Sequence, residues 1–301
     1  MKKIGYLLLL VLLAACRGKD KKAEETISRT SGKVKLLVDA SFDNIIQDQI
    51  MVFRSDYPDA EFTVISGNEN KILPTFLNDS VRVIILSRML TTYEEAVYKK
   101  RSIPVHTSRF AVDGIALITN KENGDSTITA DEVLSILKGT STGNKNLVFD
   151  NAYSSTLRYF KDLGEIKTLP AKGVYTLQNN DDVIKYVAEN KNYIGILGVN
   201  WLIERNEKTA TLLSKVKLMG VKNSKGKKGD NAYYKPTQDN LISGIYPFLR
   251  NVYIINCEGK SGLGTGFANW LVSQRGQLIV LKSGLGPHQI MSRDFNLKNR
   301  N

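Results

Sequence analysis

From Lys33 onward, short apolar runs alternate with segments whose apolar residues recur at helical spacing, and that alternation leaves few architectures open. Lys33–Ala40, Glu61–Ile65 and Val81–Leu86, apolar apart from Arg82, read as strands. Between them lie two predicted helices, Asp43–Tyr57, with Ile46, Ile50 and Phe53 on one face, and Asn70–Leu77. Thr91-Thr92 ahead of Glu94-Glu95 marks a further helix start, followed by two strands, Ile103–Val105 and Arg109–Thr119. A second cycle runs from a helix opening at Thr129 and closing at Gly139, through a strand at Leu147–Phe149 and a helix at Ser154–Leu163. It continues with a strand at Val174–Leu177, a helix at Asp181–Glu189 and a strand at Tyr193–Leu197. After a charged, Gly-containing stretch (222–230) come a strand at Val252–Ile255 and helices at Gly266–Leu271 and Gln277–Leu281. Such a pattern predicts an α/β protein with mostly parallel sheets flanked by helices. Its 301 residues suffice for two lobes with separate cores.

The first 32 residues follow a different logic. Met1-Lys2-Lys3 form a charged start, Ile4–Leu13 an apolar run too short to be a good membrane span, and Ala14-Ala15 the small residues of a cleavage site. Leu13-Ala14-Ala15-Cys16 resembles the bacterial lipobox, in which the Cys is diacylated and becomes the mature N-terminus. Residues 1–15 are thus expected to be a lipoprotein signal peptide, Cys16 the lipidation site, and 16–32 a tether reaching about 20 Å by random-coil scaling. The expected product is exported and held by lipid to the cell envelope, on the periplasmic side or at the surface. One cysteine, Cys257, then remains, so no intrachain disulfide forms.

Formal net charge is +12, and part of the excess lies in the tether and in the Lys222, Lys225, Lys227 and Lys228 loop. A basic field of this kind raises the encounter rate with small anions. Nucleic acid is not an expected partner, because basic and aromatic residues do not interleave. No paired-carboxylate motif, nucleophile elbow, metal spacing or P-loop is present, so no enzymatic role, cofactor or metal is expected.

The chemistry concentrates at strand ends. Strand one leads into Ala40-Ser41-Phe42, strand two into Ser66-Gly67, strand three into Ser87-Arg88, and Leu147–Phe149 into Asp150-Asn151-Ala152-Tyr153-Ser154-Ser155-Thr156. In open α/β sheets ligands bind outside the carboxyl ends of the strands, where helix N-termini converge. Arg158 stands in the first turn of its helix, where the macrodipole disfavours a cation unless an anion occupies the helix start. Singly, each Ser also reads as a cap; four at equivalent strand ends read as a site for a tetrahedral oxyanion, with Arg88 and Arg158 supplying charge.

These segments, together with Ile128-Thr129…Val133…Ile136-Leu137-Lys138-Gly139, Tyr246–Tyr253 and Phe267–Gln277, resemble the periplasmic phosphate-binding proteins, the solute receptors of phosphate ABC importers, here in lipoprotein form. The resemblance spans residues 33–301. It implies a two-lobed periplasmic binding protein fold (type II) with two crossover strands, lobe 1 comprising 33–113 and 229–301 and lobe 2 comprising 114–228. It further implies a monomer that closes over inorganic phosphate and delivers it to a permease. Carried over by motif, ligand contacts fall on Ser41, Phe42, Ser66, Ser154, Ser155 and Thr156, with Ser87 at the third strand end. The sequence departs from the family at two places. Arg88 stands where an Asp usually follows the Ser, and Phe149-Asp150 stand where an Arg usually precedes the Ser-rich segment. Arg158 is the candidate replacement for that Arg. Asp113, Asp150 or Glu69 could supply the acceptor a protonated ligand needs, with Asp113 preferred because it interrupts the apolar run Phe110–Ile118. The Tyr246–Tyr253 and Phe267–Gln277 segments are expected to be structural. The departures leave two other readings open: a receptor for sulfate or another oxyanion, and a surface lipoprotein that has lost ligand binding.

Overall fold

The computed structural model describes residues 28–203, 206–259 and 261–289; the signal segment and Cys16 lie outside them. The chain begins with β1 (Gly32–Asp39), a 3-10 turn (Ala40–Phe42), α1 (Asp43–Asp56), β2 (Ala60–Gly67), α2 (Glu69–Leu77), β3 (Val83–Leu86), α3 (Thr92–Lys100) and β4 (His106–Asn120). It continues with β5 (Thr127–Thr129), α4 (Ala130–Leu137), β6 (Asn146–Phe149), α5 (Ser155–Gly164), β7 (Val174–Thr176), α6 (Asn180–Glu189) and β8 (Tyr193–Gly198). Then follow a 3-10 turn (Val199–Leu202), α7 (Glu207–Leu213), β9 (Val216–Leu218), β10 (Gly220–Lys222), α8 (Gln238–Ile242), β11 (Leu249–Asn256), α9 (Leu263–Leu271), α10 (Gln274–Lys282) and β12 (Gly286–Pro287).

The main sheet runs β2-β1-β3-β11-β4-β8-β6-β7. β1, β2 and β3 are parallel, as are β6, β7 and β8, while β11 and β4 run antiparallel to their neighbours. β3 reads Val-Ile-Ile-Leu with every residue buried, as a strand covered on both faces requires. β2, at the edge, shows mostly half-buried and exposed positions, and hydrophobic character is correspondingly diluted there. The two lobes share one strand. β4 pairs with β11 over His106–Gly114 and with β8 over Ile115–Thr119, so the same backbone carries the sheet from one lobe into the other. The sequence suggested two strands here, Ile103–Val105 and Arg109–Thr119; the structure has a single strand of 15 residues beginning after Val105. Pro104, which has no N–H to give a ladder, sits just ahead of it.

Side-chain caps fix the starts of α3, α4 and α5. Thr91 and Glu94 form a reciprocal capping box on α3, and Thr129 and Glu132 form another on α4. α5 has Ser154 as its cap, accepting from the Leu157 amide at 3.1 Å. Beneath α5 an aromatic row ties the helix to β6 and to the segment ahead of β11: Phe149 to Phe160 at 5.9 Å, Phe160 to Phe248 at 4.8 Å and Phe248 to Tyr246 at 6.2 Å between ring centroids. The Tyr246 hydroxyl donates to the Ile115 carbonyl at 2.7 Å, which anchors the row to β4. Cys257 is buried immediately after β11, and burial pushes its thiol up to about 12, the profile of a packing residue. Among the described residues no helix is long and apolar enough to cross a membrane.

Candidate ligand-binding site

The C-terminal end of β1 turns sharply because Asp39 caps it. Its Oδ1 accepts the Ser41 amide at 3.0 Å, and the resulting 3-10 turn buries both Ser41 and Phe42. Ser41 Oγ then lies 3.1 Å from Ser155 Oγ, the first residue of α5, so donors from the two lobes meet directly. On the lobe 2 side the turn after β8 reaches back: Asn200 Nδ2 and Trp201 Nε1 donate to the Ser41 carbonyl at 3.1 and 2.9 Å.

Arg250 sits at the centre of this arrangement. The β4–β11 register sets Arg250 opposite Asp113, and Arg250 Nε donates to Asp113 Oδ2 at 2.8 Å. Nη1 donates to Ser155 Oγ at 3.0 Å and Thr156 Oγ1 at 3.2 Å, the guanidinium lies 4.8 Å from the centre of the Phe42 ring, and Nη2 has no partner. Arg250 is 5 % exposed and Asp113 fully buried. Gly198 leaves the room: a Cβ there would lie 2.7 Å from Asn200 Oδ1, 3.0 Å from Asp113 Oδ2 and 3.4 Å from Arg250 Nη2. The Tyr246–Tyr253 segment, expected to be structural, therefore carries the guanidinium deepest in the site.

The candidate residues fall into two groups. Ser41, Phe42, Asp113, Ser154, Ser155 and Thr156 are buried together around Arg250. Ser66 is exposed on β2 and donates to Asp43; Ser87, Arg88 and Arg158 stand at the rim. Arg88 gives its fork to carboxylates within its own lobe, Nη1 and Nη2 to Glu94 at 2.7 and 2.9 Å and Nε to Glu69 at 2.5 Å. Arg158 crosses the cleft, donating to Ser87 Oγ at 2.9 Å and facing Glu69 Oε2 at 3.2 Å, while its Nη1 holds Asp162 at 2.9 Å. The unfavourable cation in the first turn of α5 is thus relieved by protein carboxylates. Asn68 Nδ2, donating to Asn151 Oδ1 at 3.1 Å, completes the cross-cleft set.

Acids outnumber the buried guanidinium. Asp39, Asp113 and Asp150 are all buried. Burial raises Asp150 to about 6 against the pull of Ser154 and Arg250, and it raises Asp113 against the pull of Arg250. Asp43 is likewise raised to about 6 by burial, opposed by its hydrogen bond from Ser66. Asp39 Oδ2, Asp150 Oδ1 and Asn200 Oδ1 are buried acceptors without a donor. Among the described residues no group of three or more His, Cys, Asp or Glu is arranged to hold a metal ion. Arg250 escaped the sequence reading because it stands at the amino end of β11, whereas that reading looked to the carboxyl ends of strands and to helix starts. The available signal was a lone charge in each of two otherwise apolar runs, Asp113 and Arg250.

A two-lobed sheet whose donors converge at strand ends around one shared strand, β4, is the architecture of the periplasmic binding proteins. Residues 23–275 match the PBP superfamily domain, and the chain belongs to that family. Among named proteins it is similar to the phosphate-binding protein PstS of Pseudomonas aeruginosa, 22 % identical over 86 % of this chain and 84 % of that one. PstS of Staphylococcus epidermidis is also 22 % identical, over 93 % of this chain and 91 % of the relative. Among solved structures, a Clostridium perfringens protein crystallised with bound phosphate superposes with a TM-score of 0.69 at 19 % identity, over 86 % of this chain and 100 % of the other. An ABC-type phosphate transport receptor from Vibrio cholerae gives a TM-score of 0.62 at 18 % identity, over 85 % and 100 %. At these identities the structural likeness establishes the fold.

Proposed function

We propose that this protein is a solute-binding protein that captures inorganic phosphate between its lobes and delivers it to the permease of an ABC importer. It acts as a monomer, exported and anchored to the envelope through lipid on Cys16. The lobes change over at 113/114 and 228/229. The observation that carries the reading is the convergence of Ser41 Oγ, the Ser154-Ser155-Thr156 start of α5 and the unpartnered Nη2 of a buried Arg250. A tetrahedral oxyanion needs several donors spread around it, and a helix N-terminus, hydroxyls and a guanidinium supply them without competing for one position. The named relatives, which are phosphate-binding proteins, support the same ligand.

Phosphate is favoured over sulfate because three buried carboxylates surround the site, and a fully deprotonated oxyanion offers them no hydrogen. Titration calorimetry of the full chain in detergent with phosphate and sulfate tests the proposal. A micromolar or tighter phosphate complex, with sulfate at least a hundredfold weaker, is expected; heat with neither anion would end it.

Arg158→Ala separates rim from centre. Its ion pairs are partly solvated, where such pairs contribute roughly 0–1 kcal/mol. The variant is expected to bind phosphate no more than about fivefold more weakly. A hundredfold loss in the same titration would move Arg158 into the ligand's own contact set.

A further inference from the structure

The site's charge balance constrains the form in which its ligand is held. From β1 comes Asp39, from β4 Asp113, from the β6–α5 connection Asp150, and all three are buried. Against them stands one buried cation, Arg250 of β11, whose Nε is committed to Asp113. Asp43 of α1 adds a further carboxylate beside Asp39, and the rim guanidiniums of Arg88 and Arg158 are matched by Glu69, Glu94 and Asp162. The start of α5 contributes roughly half a positive charge. The interior is therefore negative before any anion enters, and a dianion would raise that excess in a place where water cannot screen it.

Hydrogen-bond chemistry points the same way. Among the described residues the buried atoms with no hydrogen-bond partner are six acceptors, Asp39 Oδ2, Asp43 Oδ1, Glu69 Oε2, Asp150 Oδ1, Asn180 Oδ1 and Asn200 Oδ1, and two donors, Arg158 Nε at the rim and Arg250 Nη2 at the centre. Asn200 Nδ2 is already given to the Ser41 carbonyl, so its amide orientation leaves Oδ1 as the free end. A bare oxyanion can satisfy Arg250 and the hydroxyls but none of those acceptors. A ligand carrying two O–H groups can satisfy two of them.

We infer that the site holds phosphate as its monoanion, H2PO4−, with Asp150 accepting one ligand proton and Asp39 or Asn200 the other, so that capture above neutral pH takes up a proton from solvent. The step is an acid–base equilibrium, HPO4²− + H⁺ giving H2PO4−, with no bond to the protein formed. This inference rests on the phosphate reading above. The raised position of Asp150 agrees with it: burial already opposes charge on that carboxylate, and a donor from the ligand relieves the cost.

Calorimetric titration of the full chain in detergent with inorganic phosphate, at pH 6.5, 7.5 and 8.5, provides the test. Each pH is run in two buffers of different ionisation enthalpy, so that the buffer dependence of the heat counts protons. The expected result is uptake of about one proton per phosphate at pH 8.5, with affinity falling close to tenfold per pH unit between 7.5 and 8.5. Buffer-independent heat together with flat or rising affinity across that range would overturn the inference while leaving phosphate as the ligand. Absence of binding at every pH would remove the phosphate reading itself, and the inference with it. Asp150→Asn checks the assignment of the acceptor: an amide can donate as well as accept, so the preference for phosphate over sulfate is expected to shrink at least tenfold. An unchanged preference in the folded variant would overturn the role given to Asp150.

Discussion

Arg250→Met is expected to lower phosphate affinity by at least a hundredfold and to destabilise the chain, and the two effects can be separated. Removing one partner of a buried ion pair costs about 3–5 kcal/mol, mostly because the remaining charge is left without compensation. Here that charge is Asp113, fully buried and otherwise held only by the Val199 amide at 3.3 Å. The single variant should therefore melt well below wild type, and increasingly so as pH rises, because burial already favours the protonated form of Asp113. The double variant Arg250→Met/Asp113→Asn removes both charges, and stability is expected to return to within about 1–2 kcal/mol of wild type. Binding should not return with it. Arg250 is the group that joins Asp113 on one side to Ser155 and Thr156 on the other, and its Nη2 is the only one of its nitrogens left without a partner. Arg250→Lys should also bind poorly, since a single ammonium cannot span Asp113 and two hydroxyls as a planar fork does. Denaturation and titration calorimetry on the three variants decide the matter; wild-type affinity in the double variant would show that the ligand does not use this guanidinium.

Asp150→Asn is expected to stabilise the phosphate-free protein at pH 7.5. The folded chain raises this carboxyl from 3.8 to about 6, chiefly by burial. A group whose folded value is raised binds its proton more tightly in the native state. Its contribution is present in full below about pH 3.8 and is lost as pH climbs through about 6, after which the loss is constant. The difference between about 6 and 3.8 is near two units, or at most about 3 kcal/mol. Replacing the carboxyl with an amide removes that loss, so melting curves of wild type and variant should agree near pH 4 and diverge by pH 6.5. Parallel curves across this range would show that Asp150 is not penalised by its surroundings. Asp43 has the same sign, damped because it is partly solvated. Asp150 would then be a residue whose charge costs the empty protein stability and is kept for the ligand, the exchange expected of a binding site.

How far each part could be read from the chain follows from the range of the interactions involved. Alternating apolar runs such as Val81–Leu86 and the face Ile46, Ile50, Phe53 determined the α/β class, because strand and helix periodicity is a local property of consecutive side chains. Ser41 and the Ser154-Ser155-Thr156 group were legible for a related reason: hydroxyls at a strand end or a helix start answer backbone geometry within a few residues. The fate of the charges was not local. Arg88 and Arg158 looked free because their neutralising partner Glu69 lies in another element, and in the fold Arg88 also meets Glu94 while Arg158 meets Ser87 across the cleft. Arg250 stands 137 positions from Asp113, and only the register of β11 on β4 brings them to 2.8 Å. The length of β4, which outruns the anticipated Arg109–Thr119 while Ile103–Val105 stays outside it, came from the same source, since its two halves are held by different partners, β11 and β8. The sequence alone settled the alternation of strands and helices and pointed to the strand ends that carry Ser41 and Ser154-Ser155-Thr156. Which guanidinium remains available to an anion was decided by tertiary structure, because charge pairing depends on distance through space and chain order does not encode it.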